Sequence, residues 1–195
     1  LQQNKFYKER YIPLEITKNI SMQILNALSF LHGNKIVHCD LKPGNIVFCD
    51  DISNRIKIID FGLAKKEGEI VHHKVQTPNY RAPEVWLKKE FGSPIDIWSF
   101  GAILYEMLIG NLMFDKDDDN LILDSIFNRY GKFEINEKSI EFDNKNINDN
   151  WELIFKDHPN YNESAIDLIR FCMEFKIKER FTADMAIFHK FYHLD

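Results

Sequence analysis

Apolar residues recur at helical spacing in the first part of the chain. Intervals of three or four residues separate the members of this stripe, which are Ile16, Ile20, Ile24, Leu28 and Leu31. Such spacing places side chains on one face of a helix. Pro13 suits a helix start and Gly33 suits a helix end, so the pattern predicts an amphipathic helix over residues 14–33.

Two short apolar runs, 46–48 and 56–59, follow further along the chain, and the polar residues 50–54 separate them. Runs of this length on either side of a polar turn are typical of a β-hairpin. The hairpin would place Asn45 just before its first strand and Asp60 just after its second. We therefore expect both side chains at the same end of the ladder.

The rest of the pattern predicts helices joined by loops. Residues 63–83 lack sustained periodicity and contain Gly68, Pro78 and Pro83, which predicts a long loop of the kind that often carries function. Residues 96–110 are apolar on nearly every side, which predicts a helix buried at the centre of the domain. The remaining segments are predicted as helices at 120–130, 163–174 and 182–191, and as a polar loop at 131–162. One mainly helical domain is therefore expected.

Composition narrows the class of protein. With 195 residues, 45% of them hydrophobic, the chain can build one sizeable core. A net charge of -5 and the lack of a Lys/Arg-rich stripe disfavour nucleic acid as a ligand. No apolar run approaches the roughly 20 residues of a membrane span, and no signal peptide is visible. Because the three cysteines form no paired motif, we expect reduced thiols in an intracellular protein, nuclear or cytoplasmic, that binds no membrane.

The densest cluster of reactive residue types lies at 38–45, which read His-Cys-Asp-Leu-Lys-Pro-Gly-Asn. Phosphoryl transfer needs a carboxylate to accept a hydroxyl proton, a cation for the transferring group and oxygen ligands for magnesium. Asp40 is predicted to be the proton acceptor and Lys42 the counter-charge. Asn45 and Asp60 are predicted to be the ligands of Mg²⁺.

Residues 38–45, followed by Asp-Phe-Gly at 60–62, resemble the catalytic loop H-R-D-x-K-x-x-N and the metal-binding D-F-G of protein kinases. Three later motifs keep the order of that family: T-P-N-Y-R-A-P-E at 77–84, D-I-W-S-F-G at 96–101 and K-E-R-F-T-A at 178–183. The resemblance covers essentially the whole chain. It implies a protein-kinase-like fold (α+β family), present here as a mainly α-helical C-terminal lobe with a small β-hairpin.

The resemblance divides residues 1–195 into a catalytic loop at 38–45, an activation segment at 60–84 and a central helix at about 96–110. It also implies roles for single residues. Thr77 should hydrogen-bond near Asp40 and Lys42 and shape the pocket for a hydroxyl substrate. Val47 should form the apolar floor under the adenine ring of ATP, so ATP and Mg²⁺ are the implied cofactors.

Further residues of the motifs are expected to support the site. Glu84 should pair with Arg180 in a partly buried bidentate contact. Asp96 should accept backbone N–H groups of the catalytic loop. His38 could act as a general base, but the resemblance instead implies that it packs under Phe61.

The resemblance also bears on substrate and branch. A lysine two residues after the catalytic acid, here Lys42, is typical of serine/threonine kinases, so the implied partner is a protein substrate with Ser or Thr. Y-R-A-P at 80–83 resembles the group that contains cyclin-dependent, MAP, SR-protein and dual-specificity tyrosine-regulated kinases. His-Cys-Asp is typical of the last branch. That branch carries a Tyr-x-Tyr pair where this chain has His72 and Lys74.

Cys39 stands where most kinases carry arginine, a residue that binds a phosphate on the activation segment. A thiol cannot form that charge-assisted pair, and residues 63–76 contain no Ser, Thr or Tyr. The sensor and its target are missing together. We therefore expect activity that does not depend on phosphorylation of the activation segment.

The 195 residues contain no glycine-rich phosphate loop, no V-A-I-K-like lysine and no partnering glutamate. The resemblance places all three in a missing N-terminal lobe, and the chain alone is not expected to transfer phosphate. A pseudokinase or scaffold that keeps the fold without turnover is the alternative. A small-molecule kinase is a third option, although such enzymes generally lack the A-P-E segment seen at 82–84.

Overall fold

Helices make up most of the fold in the computed structural model, which describes residues 11–50, 52–69, 74–130 and 155–193 in full. For 133–135 and 140–142 it describes the backbone. The helices are α1 (Leu14–Gly33), α2 (Pro83–Trp86), α3 (Pro94–Ile109), α4 (Asp119–Tyr130), α5 (Glu163–Cys172) and α6 (Ala183–Ile187). Single 3-10 turns lie at Pro43–Asn45, Pro78–Tyr80 and Lys190–Tyr192. Within these ranges no helix is long and apolar enough to cross a membrane.

Helix α3 lies at the centre of the core, as the sequence predicted. Its side chains are buried on nearly every side, and α1 and α5 pack against it. Gly101 allows the close approach, because a Cβ at this position would collide with the side chain of Met173. Helix α1 also packs against α6, so the two ends of the described chain meet around one core.

Short antiparallel ladders join the helices. Strands β2 (Ile46–Phe48) and β3 (Ile56–Ile58) form the predicted hairpin, with Ile46 opposite Ile58 and Phe48 opposite Ile56. One further bond, from the N–H of Ile59 to the carbonyl of Asn45 at 2.9 Å, continues the pairing past the strand ends. Asn45 and Asp60 therefore lie at the same end of the ladder, as expected.

Two other ladders are present in the described parts. Strand β1 (Ile36–Val37) pairs with β4 (Lys65–Lys66), which lies inside the segment that the sequence predicted as a loop. Two successive lysines show no alternation of apolar and polar residues, so the sequence pattern does not predict a strand here. The strand forms because its backbone pairs with β1, which is distant in the sequence. Strands β5 (Phe133–Ile135) and β6 (Ile140–Phe142) pair within the predicted polar loop, most of which lies outside the described residues.

The last predicted helix, 182–191, is shorter than expected. Helix α6 ends at Ile187, and His189 adopts an extended conformation with ψ of 146°. Its imidazole Nδ1 accepts a hydrogen bond from the N–H of Phe191 and so begins the final 3-10 turn. A side chain that competes for backbone donors in this way ends a helix that periodicity alone would continue.

The predicted pair of Glu84 and Arg180 is confirmed as a buried bidentate contact. Arg180 donates from Nη1 to Oε1 of Glu84 at 2.6 Å and from Nη2 to Oε2 at 3.0 Å. The side chains are 0% and 4% exposed. Arg180 also donates to the carbonyls of Glu174 and Pro94, so it ties the end of the activation segment to α3 and the C-terminal helices.

The described cysteines differ in their surroundings. Cys39 and Cys172 are buried, whereas Cys49 is exposed. Burial, together with the nearby carboxylate of Asp96, raises the pKa of the Cys39 thiol to about 12. A neutral, enclosed thiol is a poor nucleophile.

Removing the carboxylate of Glu84 should be strongly destabilising, because it leaves the guanidinium of Arg180 buried without its counter-charge. We expect Glu84→Gln to lower the free energy of unfolding by about 3–5 kcal/mol. The control is Glu179→Gln, which breaks an exposed pair with Lys176 and should cost about 0–1 kcal/mol. Urea denaturation of both variants measures the difference. Equal losses of unfolding free energy would show that the buried pair contributes no more to stability than the exposed pair.

Alkylation of the native protein should separate the cysteines. We expect iodoacetamide at neutral pH to modify Cys49 while leaving Cys39 and Cys172 unmodified, because only the first thiol is accessible. Peptide mass spectrometry reads the sites, and the urea-unfolded protein, in which all three should react, is the control. Labelling of Cys39 at the rate of Cys49 would contradict its burial.

Candidate active site

A buried carboxylate on α3 holds the catalytic loop. Asp96 is 0% exposed and accepts the backbone N–H of His38 at 2.8 Å and that of Cys39 at 3.0 Å. Its Oδ2 also lies 3.0 Å from Nε2 of His32, at the C-terminal end of α1. The contact of Asp96 with the loop amides was predicted and is confirmed. The contact with His32 was not predicted, because nothing in a helical stripe marks one histidine as a partner of a distant acid.

Three residues around the site adopt left-handed backbone conformations. Their φ angles are 67° for Cys39, 63° for Asp60 and 64° for Gln76. Such a conformation costs a residue with a Cβ about 1–2 kcal/mol, so surrounding contacts must maintain it. For Cys39 those contacts are visible, since its N–H binds Asp96 and its carbonyl accepts the N–H of Gln76 at 2.8 Å.

Asp40 receives donors on both carboxylate oxygens. Thr77 donates to Oδ1 from its backbone N–H at 3.0 Å and from its hydroxyl at 2.8 Å. Lys42 Nζ lies 2.7 Å from Oδ2 and 2.9 Å from the hydroxyl oxygen of Thr77. The structure thus brings together the three predicted catalytic residues, and the expected contacts of Thr77 are confirmed. Asp40 is 8% exposed, so these contacts fix its carboxylate at the rim of the core.

Asn45 joins the same cluster through its amide. Its Nδ2 donates to the backbone carbonyl of Asp40 at 2.8 Å and contacts the carboxylate at 3.3 Å. Within the described parts of the chain, these contacts leave the amide oxygen of Asn45 without a donor. Asp60 is exposed, and its Oδ1 accepts only the N–H of Gly62, at 3.2 Å, within the described residues.

Amide and carboxylate oxygens are ligands that magnesium prefers, and it commonly takes one or two of them from a protein beside water and phosphate oxygens. Asn45 and Asp60 fit this donor set. Among the described residues there is no group of three or more His, Cys, Asp or Glu side chains that could hold a metal ion. The adjacent histidines 72 and 73 lie outside the described residues.

His38 has a supporting position and no free nitrogen. Its Nδ1 accepts the N–H of Asp40 at 3.2 Å, and its Nε2 lies 3.1 Å from the carbonyl of Ile59. These two partners fit the neutral tautomer with hydrogen on Nε2. The ring of Phe61 packs edge-on against the imidazole at a centroid distance of 5.0 Å, as predicted. His38 therefore links the catalytic loop to the end of the hairpin.

Val47 lies at the middle of β2 opposite Lys57 and is half-buried. Its strand position and partial exposure leave it able to contact a ligand above the hairpin. Its role under the adenine ring stays a prediction.

Gln76 and Arg81 are the main residues that sequence reasoning missed. The amide of Gln76 donates to Ser99 Oγ at 2.7 Å and accepts the N–H of Ala82 at 3.0 Å, which fixes the activation segment to α3. Arg81 donates from Nη2 to the carbonyl of Gln76 at 2.8 Å. Both residues lie within or beside the T-P-N-Y-R-A-P-E motif, and that proximity was the available signal.

Comparisons with known proteins agree with this geometry. The sequence profile of the protein kinase domain matches residues 1–192. The DYRK-family kinase pom1 of Schizosaccharomyces pombe is 38% identical over 120 residues, which cover 62% of this chain and 11% of that protein. The serine/threonine-protein kinase ppk5 of the same yeast is 33% identical over 198 residues, covering 92% and 24%.

Dual specificity tyrosine-phosphorylation-regulated kinase 3 of Homo sapiens is 40% identical over 119 residues, which cover 61% of this chain and 20% of that protein. The chain thus spans between about a tenth and a quarter of the length of these relatives. The predicted similarity to the dual-specificity tyrosine-regulated branch is confirmed, although His72 and Lys74 replace its Tyr-x-Tyr pair. With the profile match over nearly its whole length, the chain belongs to the protein kinase family.

Proposed function

We propose that this chain forms the catalytic lobe of an ATP-dependent kinase that phosphorylates serine and threonine hydroxyls of proteins. One observation carries the proposal: the carboxylate of Asp40 lies 2.7 Å from the ammonium of Lys42 and 2.8 Å from the hydroxyl of Thr77, beside the amide of Asn45. Two relatives are named as kinases of serine/threonine or dual specificity, which supports the same class of acceptor.

Asp40 is the group that would accept the proton of the substrate hydroxyl. Its carboxylate is held in one orientation by Thr77 and Lys42, so the acceptor oxygen is fixed before substrate arrives. Lys42 contacts the side chains of both Asp40 and Thr77. Among the described residues it carries the only positive charge in direct contact with Asp40. From this position the ammonium would stabilise negative charge on the group being transferred.

Asn45 and Asp60 would hold magnesium, which when bound neutralises charge on the phosphates of ATP. The hairpin supports this role, since the bond between Ile59 and Asn45 fixes the two residues at one end of the ladder. Val47 on the same hairpin would contact the adenine ring. The contacts to the phosphates that a glycine-rich loop and a lysine supply in this family are the part of the proposal that an N-terminal lobe must complete.

We further propose that activity does not require phosphorylation of the activation segment. Cys39 is buried, and its thiol is directed to the carbonyl of Val37 at 3.5 Å, so it has no contact to offer a phosphate. The part of the segment between residues 63 and 76 contains no hydroxyl side chain. We also propose a location in the cytoplasm or nucleus, because the described cysteines form no disulfide with one another.

Asp40→Asn tests the chemical role directly. The amide can keep the hydrogen bond from Thr77 but is a far weaker base, so we expect kcat to fall by about 10²–10⁴-fold while the affinity for magnesium-ATP is kept. The measurement is transfer to myelin basic protein by the complete protein, together with nucleotide binding by calorimetry. Asp157→Asn, which removes a carboxylate at an exposed position, should leave both values unchanged.

Substantial turnover in the Asp40→Asn variant would remove Asp40 from its assigned role. The scaffold alternative makes a different prediction, because there the unsubstituted complete protein would show no transfer at any magnesium-ATP concentration. A companion variant, Asp60→Asn, should weaken magnesium-ATP binding, which Asp40→Asn leaves intact. Equal nucleotide affinity in both variants would contradict the division of roles between the two acids.

Phosphatase treatment tests the proposed independence from phosphorylation. We expect the complete protein to keep its activity after phosphatase digestion, because the segment has no phosphate to lose between residues 63 and 76. Peptide mass spectrometry before and after treatment should show an unmodified segment. A loss of activity that follows removal of a phosphate from this segment would contradict the proposal.

A further inference from the structure

Arg81 is a buried cation at the end of the activation segment. Its side chain is 7% exposed, and its guanidinium lies 4.2 Å from the ring centroid of Trp86. Nε and Nη2 donate to the backbone carbonyls of Val75 and Gln76, at 3.0 Å and 2.8 Å respectively. These bonds hold the guanidinium against the segment, but carbonyl groups do not neutralise its charge.

The third guanidinium nitrogen of Arg81, Nη1, differs from the other two. Nη1 is buried and has no hydrogen-bond partner among the described residues. Its nearest anion is the carboxylate of Asp119, in the first turn of α4, with Oδ2 at 3.9 Å. The same oxygen lies 3.0 Å from Nζ of Lys74 on the activation segment. One carboxylate therefore serves two cations that belong to the segment.

Electrostatics agree with this arrangement. Burial lowers the pKa of Arg81, and the charges of Asp119 and Asp40 oppose that change. A buried cation depends on such counter-charges, because removal of an ionic partner leaves it uncompensated. The position of Asp119 is favourable in its own right, since an acid in the first turn of a helix interacts well with the helix dipole.

A short series of contacts leads from Arg81 to the catalytic base. Arg81 holds the carbonyl of Gln76, and the N–H of Gln76 donates to the carbonyl of Cys39 at 2.8 Å. The next residue, Thr77, donates twice to the carboxylate of Asp40. A displacement of Arg81 would therefore change the donors that orient Asp40.

We propose that Asp119 is a positioning residue for the phosphoryl-transfer site, acting as a fixed anion that holds the activation segment through Arg81 and Lys74. This role rests on the proposed kinase function. It explains how the described end of the segment, from Lys74 to Arg81, is held although residues 63–76 contain no Ser, Thr or Tyr: the negative charge comes from α4 instead of from a phosphate on the segment.

Hydrogen exchange tests the proposal without any need for activity. In the complete protein, Asp119→Asn should speed exchange of the amides of Gln76 and Thr77 by about tenfold, because the contacts that hold them are loosened. The matched control is Asp117→Asn, an exposed position two residues away that removes the same charge. Exchange of the α3 amides should be unchanged in both variants, which shows that the domain stays folded.

Kinetics provide the second measurement. For transfer to myelin basic protein, Asp119→Asn should lower kcat by about fivefold to tenfold and leave the KM for ATP unchanged, whereas Asp117→Asn should change neither. Adding Lys74→Glu should then restore much of the activity, because it places an anion on the segment beside Arg81. Introduced alone, Lys74→Glu should lower activity, since its carboxylate would face that of Asp119. Lys74→Glu is thus expected to raise activity in the Asp119→Asn variant and to lower it in the unsubstituted protein. These opposite effects distinguish charge compensation from a general loss of structure.

The outcomes separate the two proposals. Unchanged amide exchange in Asp119→Asn, or failure of Lys74→Glu to restore activity in that variant, would overturn the role of Asp119. If the unsubstituted protein transfers no phosphate, the kinase function fails, and the exchange data alone still decide whether Asp119 holds the segment. Faster exchange in Asp119→Asn only, with the reversal in activity, would support both proposals.

Discussion

The carboxylate of Asp96 is the point on which the geometry of the site depends. It is fully buried, and it accepts hydrogen bonds from the backbone N–H groups of His38 and Cys39. It also contacts the imidazole of His32 on α1. A buried acid is costly unless donors surround it, and here those donors are the backbone of the catalytic loop itself. The same contacts maintain the left-handed conformation of Cys39, which turns the chain so that Asp40 reaches the rim of the core.

Each of two neighbouring segments is then joined to the catalytic loop by a backbone hydrogen bond. The hairpin is attached where Ile59 binds Asn45, and the activation segment is attached where Gln76 binds Cys39. Backbone contacts of this kind fix position without depending on the identity of the side chain. The side chains of Asp40 and Asp60 take no part in these two backbone bonds. Their carboxylates are therefore held by other contacts, Asp40 by Thr77 and Lys42 and Asp60 by the N–H of Gly62.

Sequence reasoning succeeded where a signal is local or belongs to a motif. The stripe of α1, the all-round apolarity of α3 and the polar turn of the hairpin each follow from side-chain periodicity. The contacts of Thr77, Glu84 and Asp96 followed from family resemblance. Strand β4 and the contact of Gln76 with Ser99 were missed, because each depends on a group distant in sequence that no local pattern encodes. The end of the last helix was missed for a different reason: the contact of His189 with the N–H of Phe191 is local, but side-chain periodicity does not reveal it.

Burial decides how much each charged contact can contribute. The pair of Glu84 and Arg180 is almost wholly enclosed, so it ties the fold together at low and high ionic strength alike. The contact of Lys74 with Asp119 is exposed and weak by itself, with side chains 63% and 46% accessible. What gives Asp119 weight is the enclosed guanidinium of Arg81 beside it, whose free nitrogen has no other acceptor in the described parts of the chain. A partly exposed acid on α4 can therefore act on the activation segment when it is the nearest counter-charge of a buried guanidinium.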